Sequence, residues 1–380
     1  MKIVFTGGGT GGHFYPIIAV VQKVNQIIDR ENIVGAKLYF FSDGPYDKEM
    51  LYEHGLFYEE INAGKMRTYF SLKSLFQNFI NIFKMASGIL NAIFKVFSIY
   101  PDVVFGKGGY ASFPTIFAAR ILRIPVIIHE SDSVPGRVNK WAGRFAHRVA
   151  VSFKEAAQYF PEKNVAWTGQ PIRAEIEEAA ATPEALRYFK FESDLPVILV
   201  LGGSQGAELI NNAVVDALLR LIKNYQIIHQ TGILNFKTVM GEAEVVLGEN
   251  KNKARYFPVA FLSPLGMKMA AGAATIIISR AGSTLFEIAS WGIPSILVPF
   301  KESNADHARK NAFTYAHAGA CNVIEEANMK ANILISEIDE MIGDKTRFKQ
   351  MAQHAKAFSK KEAAKIIAET ILNTALSHEG

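Results

Sequence analysis

The sequence predicts an α/β chain of two Rossmann-like domains facing a cleft, with mostly parallel sheets. Three observations carry this. Two buried strands run straight into glycine loops and then helices: Lys2–Phe5 with Thr6–His13, and, nearly 200 residues later, Pro196–Leu201 with Gly202–Ala207. The stretch Ile276–Ala312 adds a strand, a small-residue turn, a helix and a second strand. With 380 residues, 49% of them hydrophobic, the chain is long and apolar enough for two cores.

Composition narrows the function classes. A formal net charge of +5 and a pI near 9.0 are mild for a nucleic-acid protein. They suit an anionic small ligand or a membrane surface, so no nucleic-acid partner is expected. Cys321 is the single cysteine, so no intrachain disulfide is possible, and no Cys/His spacing matches a structural zinc site. The opening MKIVFTGGG enters a strand rather than a leader peptide, and no apolar run reaches the ~20 residues of a spanning helix. These features predict a cytoplasmic protein.

In the first half, Lys2–Phe5 leads into Gly7, Gly8, Gly9, Gly11 and Gly12, and Pro16–Val24 starts a helix. A loop this rich in glycine permits close approach of a phosphate or sugar near a helix N-terminus. His13 ends the loop. It can hydrogen-bond a phosphate, take a proton from a hydroxyl or cap the helix. Lys37–Phe41 and Leu56–Ile61 are the next strands. From Ile61 to Pro101 there is no acid. Lys73, Lys84 and Lys95 interleave with Phe76, Phe79, Phe83 and Phe94 at helical spacing. That pattern fits an interfacial helix on anionic lipid as well as an amphipathic core helix; the missing acids favour the first. Asp102–Phe105 runs into Gly108-Gly109-Tyr110, and Val126–Ile128 into His129-Glu130-Ser131-Asp132. Both place polar groups at carboxyl ends of strands, where such sheets bind ligands. Val149–Ser152 reads as the last strand of this half, with the domain boundary near Arg173.

In the second half, Gly202–Ala207 precedes a helix over Glu208–Leu221, and its amides with Ser204 can grip phosphate. Tyr225–His229 and Tyr256–Val259 follow as strands, then Phe261-Leu262 and a short helix over Met267–Ala271. Ile276–Ile278 leads to Arg280-Ala281-Gly282-Ser283-Thr284, and Glu287 lies near the start of the helix beyond it, able to accept bonds from two adjacent sugar hydroxyls. Ser295–Val298 is the next strand, and Lys345–Ala375 is helical by pattern.

In combination and order, Thr6–His13, Gly108-Gly109-Tyr110, His129-Glu130, Asn139, Gly202–Ala207, Ser279–Gly282, Glu287, His307 and Asn311-Ala312 resemble the MurG family. These are the lipid II-forming transferases of glycosyltransferase family 28, in the GT-B superfamily. The likeness covers nearly the whole chain. It implies a GT-B fold: residues 1–173 as the acceptor and membrane domain, 174–343 as the donor domain, and 344–380 as a helical segment packing back toward the first. It implies inverting, metal-independent transfer of N-acetylglucosamine from UDP-GlcNAc. The acceptor would be the 4-hydroxyl of N-acetylmuramic acid in undecaprenyl-pyrophosphoryl-MurNAc-pentapeptide, at the inner face of the cell membrane during peptidoglycan synthesis. No cofactor is implied.

The resemblance also implies site residues. Thr10, Gly11, Gly12, Gly203, Ser204, Gln205 and Gly206 would meet the donor, with Arg173 near its diphosphate. Phe261 and Leu262 would flank the uracil. Arg280, Ala281, Gly282 and Ser283 would line the diphosphate side, Glu287 would hold the ribose, and His307 and Asn311 would complete the donor site. Gly108, Gly109, Tyr110, Asp132 and Asn139 would face the acceptor. The membrane patch corresponds to Lys73, Phe76, Phe79, Phe83, Lys84, Phe94 and Lys95. Inversion needs a base for the acceptor hydroxyl. His13 is the first candidate, as base or positioning group, then Glu130, with Asp132 shaping the acceptor pocket. Four positions depart from the family pattern: Ser131 for Gln, Asp132 for Asn, Gln170 for Asn and Ala308 for Gln. The turn between Gly282 and Thr284 is also one residue short. These departures leave open a transferase of the same fold with another UDP-sugar or acceptor, and a non-hydrolysing UDP-GlcNAc epimerase.

Overall fold

The computed structural model describes residues 1–8, 10–64, 72–203, 206–301 and 306–378, and of 72–83 and 378 the backbone alone. The chain divides into two compact units, Met1–Arg173 with Lys361–Gly380, and Ala174–Lys360.

The first unit is built on a seven-stranded parallel sheet. Its strands are β1 (Lys2–Thr6), β2 (Lys37–Ser42), β3 (Leu56–Glu60), β4 (Val103–Gly106), β5 (Val126–Glu130), β6 (Arg148–Val151) and β7 (Val165–Trp167). Their order is β3-β2-β1-β4-β5-β6-β7, so the winding reverses between β1 and β4. In register, Thr6 pairs with Gly106 and Gly106 with Ile128. The loops after these strands therefore leave the sheet side by side at the switch point, where doubly wound sheets bind ligands. Full burial of Val103–Phe105 and near-full burial of Val126–Ile128 explain why these strands read as apolar runs rather than alternating ones.

The second unit repeats the plan with six parallel strands. They are β8 (Val197–Leu201), β9 (Gln226–Gln230), β10 (Tyr256–Val259), β11 (Ile276–Ser279), β12 (Ser295–Leu297) and β13 (Cys321–Val323). The order β10-β9-β8-β11-β12-β13 puts the reversal between β8 and β11, with Leu201 paired to Ser279. The glycine loop after β8 and the Arg280–Ser283 turn after β11 flank it.

Three differences from the sequence reading have physical causes. The first half does not end at Val149–Ser152: β7 adds an edge strand, Val-Ala-Trp, whose three residues are part-buried or exposed and too few to stand out as a strand. The helix after β1 begins at Gly11, not Pro16; its range is Gly11–Arg30, with Pro16 inside. The predicted helix Lys345–Ala375 is broken. Lys345–Phe358 stays with the second unit, and Ala363–His378 joins the first. That last helix places Ile367, Ala368, Ile371, Leu372 and Ala375, one helical stripe, in the core beside Ile17, Val21 and Val24. Each large aliphatic buried there contributes about 1.5–3 kcal/mol.

Candidate functional site

In the first unit the polar residues converge at the carboxyl ends of β1, β4 and β5. His13 lies in the first turn of its helix, its N–H bonded to Thr10 O at 3.1 Å and its Nδ1 3.2 Å from Thr10 Oγ1. Burial, then the charge of Lys107, lowers its pKa to about 4, and Asp132 pulls the other way. The helix N-terminus also disfavours an imidazolium. His13 is therefore neutral at pH 7 and able to accept a proton. Gly109 lies against its ring: a Cβ there would sit 3.4 Å from His13 Cε1.

Glu130 ends β5 and is 4% exposed. One carboxylate oxygen accepts from Asp132 N at 2.9 Å; the other accepts from Gly136 N and Asn139 Nδ2, each at 3.0 Å. Three donors on two oxygens mark an ionised acceptor. Burial and the Asp132 charge nevertheless raise its pKa above the usual carboxylate value. Glu130 thus holds the 131–139 loop together. Asn139 also donates to His129 O at 3.0 Å and packs against Gly108, where φ is +83° and a Cβ would meet Asn139 Nδ2 at 2.7 Å. Only glycine fits that position. Tyr110 hydrogen-bonds Asp43, and burial followed by that bond raises its pKa to about 12.

Sequence reasoning missed Lys107. It is 2% exposed, and its Nζ donates to Ser131 Oγ. Ser131 donates on to Gln170 Oε1 at 2.9 Å, and Ser152 donates to the same oxygen at 2.8 Å. His129 Nε2 lies 3.0 Å from Gly169 O and 3.2 Å from Ser152 Oγ. A carbonyl only accepts, so Nε2 carries the proton and the ring is neutral, as its strongly lowered pKa in this buried place requires. The departures at 131 and 170 are therefore in contact with each other. The available signal was a lysine between four buried strand residues and two glycines. Arg173 stacks on Tyr15 with its guanidinium carbon 4.0 Å from the ring centre, and its buried Nε has no partner among the described residues.

The second unit presents a different surface. Ser204 and Gln205 lie outside the described residues. Gly203 and Gly206 flank them at φ +76° and +85°. A Cβ on Gly206 would stand 2.6 Å from Thr231 O. The Phe261-Leu262 segment is fixed by Gln230, whose Oε1 accepts from Leu262 N at 2.9 Å; Phe261 itself is exposed. Arg280 pairs with Glu326 at 2.5 Å and also donates to Val298 O. Glu326 takes a further bond from Lys301 N at 3.0 Å. Ala281 is buried and Gly282 exposed, and Ser283 precedes, without a side-chain capping bond, the helix Thr284–Trp291 that carries Glu287 in its first turn. His307 and Asn311 lie one turn apart on the helix His307–His317, Asn311 buried.

Within the acid-free stretch lies the helix Leu72–Ile99. The side chains of Lys73, Phe76, Phe79 and Phe83 lie outside the described residues. Beyond them Leu90, Phe94 and Phe97 are 64–71% exposed on one face, while Gly88, Ala92 and Val96 are buried on the other. Lys84 is exposed; Lys95 is paired with Glu59 at 2.6 Å. Among the described residues no helix is long and apolar enough to cross a membrane, and no cluster of three His, Cys, Asp or Glu residues could hold a metal.

Comparison with known proteins agrees with this architecture. Residues 3–151 match the glycosyltransferase family 28 N-terminal domain and residues 197–368 its C-terminal domain. A Halothermothrix orenii protein is 35% identical over 99% of both chains. It is described as UDP-N-acetylglucosamine--N-acetylmuramyl-(pentapeptide) pyrophosphoryl-undecaprenol N-acetylglucosamine transferase. A crystal structure of Acinetobacter baumannii MurG superposes with a TM-score of 0.72 at 24% identity, covering 98% of this chain and 99% of that one. A putative UDP-N-acetylglucosamine 2-epimerase from Listeria monocytogenes reaches 0.68 at 14% identity, covering 97% and 94%. The two-domain fold is thus common to transferase and epimerase, and family membership rests on the sequence matches in both halves: the chain belongs to glycosyltransferase family 28.

Proposed function

We propose that this protein transfers N-acetylglucosamine from UDP-GlcNAc to the 4-hydroxyl of the MurNAc residue in undecaprenyl-pyrophosphoryl-MurNAc-pentapeptide. The observation that carries this is the match of both halves to one family, together with a 35% identical relative of that description over 99% of both chains. In this reading the second unit binds the donor. The Gly203–Gly206 loop and the start of the Thr284 helix offer N–H groups to the diphosphate, and Glu287 takes the ribose hydroxyls. Phe261 and Leu262 flank the uracil, and His307 and Asn311 complete the site. No metal enters the reaction. The first unit binds the acceptor through Gly108, Gly109, Tyr110, Asp132 and Asn139.

The step balances simply. The acceptor oxygen attacks the anomeric carbon on the face opposite UDP. Its proton passes to the neutral His13 imidazole as the new C–O bond forms, and UDP leaves with the electron pair of the old one. Glu130, already holding three N–H donors, positions the acceptor loop. Leu90, Phe94 and Phe97 dip into the inner face of the cell membrane beside Lys84, bringing the protein to its lipid-linked substrate.

Purified protein given UDP-GlcNAc should release UDP only when the polyprenyl-linked acceptor is present, with an inverted product. Conversion of UDP-GlcNAc to its C2 epimer without acceptor and without net UDP release would replace this reading with a non-hydrolysing epimerase. Equal use of other UDP-hexoses, the outcome that Ala308 in place of Gln invites, would replace it with a transferase of broader donor range.

A further inference from the structure

The end of β9 carries buried polar groups that the proposed reaction does not use. His229 is fully buried, and Asn211 and Gln230 nearly so, in a core where Ile210, Val214, Ile227 and Ile228 are apolar. Asn211 lies in the first turn of the helix Glu208–Leu221, which follows the glycine loop after β8. Its Nδ2 donates to Thr231 O at 3.0 Å. A carbonyl only accepts, so Oδ1 is the Asn211 atom that faces the His229 ring, 3.0 Å from Nε2. Nε2 therefore carries the proton. Burial lowers the pKa of this ring to about 3, so it holds no second one. Nδ1 is then an acceptor and takes the Tyr256 O–H at 2.9 Å. The bonds run one way, from β10 through β9 to the helix, and end on Thr231 O.

The glycine loop leans on that carbonyl. Gly206, at φ +85°, comes so close that a Cβ would stand 2.6 Å from Thr231 O. At the other end of the loop Gly202 N donates to Gln230 O at 3.1 Å. The Gln230 side chain serves a second segment, its Oε1 accepting from Leu262 N at 2.9 Å. A hydrogen-bonded chain in an apolar core adds little net stability, but when fully satisfied it fixes one geometry.

We propose that β9 ends in two positioning devices for the nucleotide: the Tyr256–His229–Asn211 chain sets the diphosphate loop through Thr231, and Gln230 sets the Phe261-Leu262 segment for the base. This rests on reading the second unit as the donor site. The devices are separable because they hold different segments through different bonds. Without the chain, Thr231 O loses its side-chain anchor and the grip on phosphate loosens. Without the Gln230 amide, Leu262 N loses its acceptor and the grip on the base loosens, a part that uridine and UDP share.

Calorimetry with UDP and NMR titration with uridine, on the full chain, tell them apart. Wild type should bind UDP more tightly than uridine; equal affinities would overturn the donor reading and the proposal with it. Asn211→Leu should weaken UDP binding about tenfold and leave uridine binding unchanged. Tyr256→Phe, which removes only the far O–H, should act in the same direction by about threefold. Gln230→Met should weaken both ligands by the same factor, about tenfold. Where wild type does prefer UDP, an Asn211→Leu protein that binds both ligands normally overturns the proposal. So does one that loses both equally, the mark of a unit loosened throughout. A Gln230→Met protein that loses UDP alone, or neither ligand, overturns the assignment of the base segment. If Asn211→Leu does not fold, unchanged UDP affinity in Tyr256→Phe, or an equal loss of uridine, overturns the proposal in its place.

Discussion

The switch-point loops of the two units differ in where they keep their charge. After β4 and β5 the first unit carries Lys107, Glu130 and Asp132, which shift one another's proton affinity, and the charges of Lys107 and Asp132 also act on His13. After β8 and β11 the second unit offers glycines, a helix start and one cation, Arg280, already paired with Glu326. A group that must gain or lose a proton needs an environment that tunes it. A diphosphate of fixed charge needs aligned N–H donors and little titration. The contrast supports the proposed division, with proton transfer in the first unit and donor recognition in the second.

Four measurements break or sharpen that division. His13→Ala should lower kcat about 10²–10⁴-fold at saturating acceptor while leaving UDP affinity unchanged; a folded variant within a few-fold of wild type would take proton transfer away from His13. Glu130→Ala should act first on stability. It strands three N–H donors, and a loss of about 3 kcal/mol in denaturant unfolding is expected. Normal stability with lost kcat would make Glu130 the base instead. Glu287→Ala should weaken UDP binding by about 1–3 kcal/mol in calorimetry with no change in the pH profile. Unchanged affinity would remove the ribose assignment. Lys84→Glu should weaken binding to anionic vesicles by up to about 1 kcal/mol, and Lys95→Glu by less, because Glu59 already neutralises Lys95. Equal effects, or none, would detach this helix from the membrane.

Much of this was legible in the sequence for a physical reason. Central parallel strands are buried on both faces, so β1, β4, β5, β8 and β11 stand out as apolar runs ending at glycines. The edge strands β7 and β13 are three residues each and mostly outside the buried core, too short to leave such a mark. Of the candidate residues named from motifs, Glu130 ends β5 and Gly108, Gly203 and Gly282 follow β4, β8 and β11, whereas His13, Asn139, Glu287, His307 and Asn311 lie on helices. The partnership of Lys107 with Ser131 and Gln170 joins residues 24 and 39 positions apart. No local pattern announces a contact that only the register of β4, β5 and the segment after β7 creates. Glu130 was a base candidate because its motif carried no sign of the three N–H groups that occupy it.

The last helix carries a consequence for how the protein comes into being. Ile367, Ile371 and Leu372 complete the core of a unit whose other residues are the first to be synthesised. While the second unit emerges from the ribosome and folds, the face of the Gly11–Arg30 helix that will receive them stays open. Domain-by-domain folding therefore finishes in the reverse of its usual order. The unit begun first is closed last, and a chain cut short before Lys361 would keep every residue of its second unit while leaving the first without its final layer.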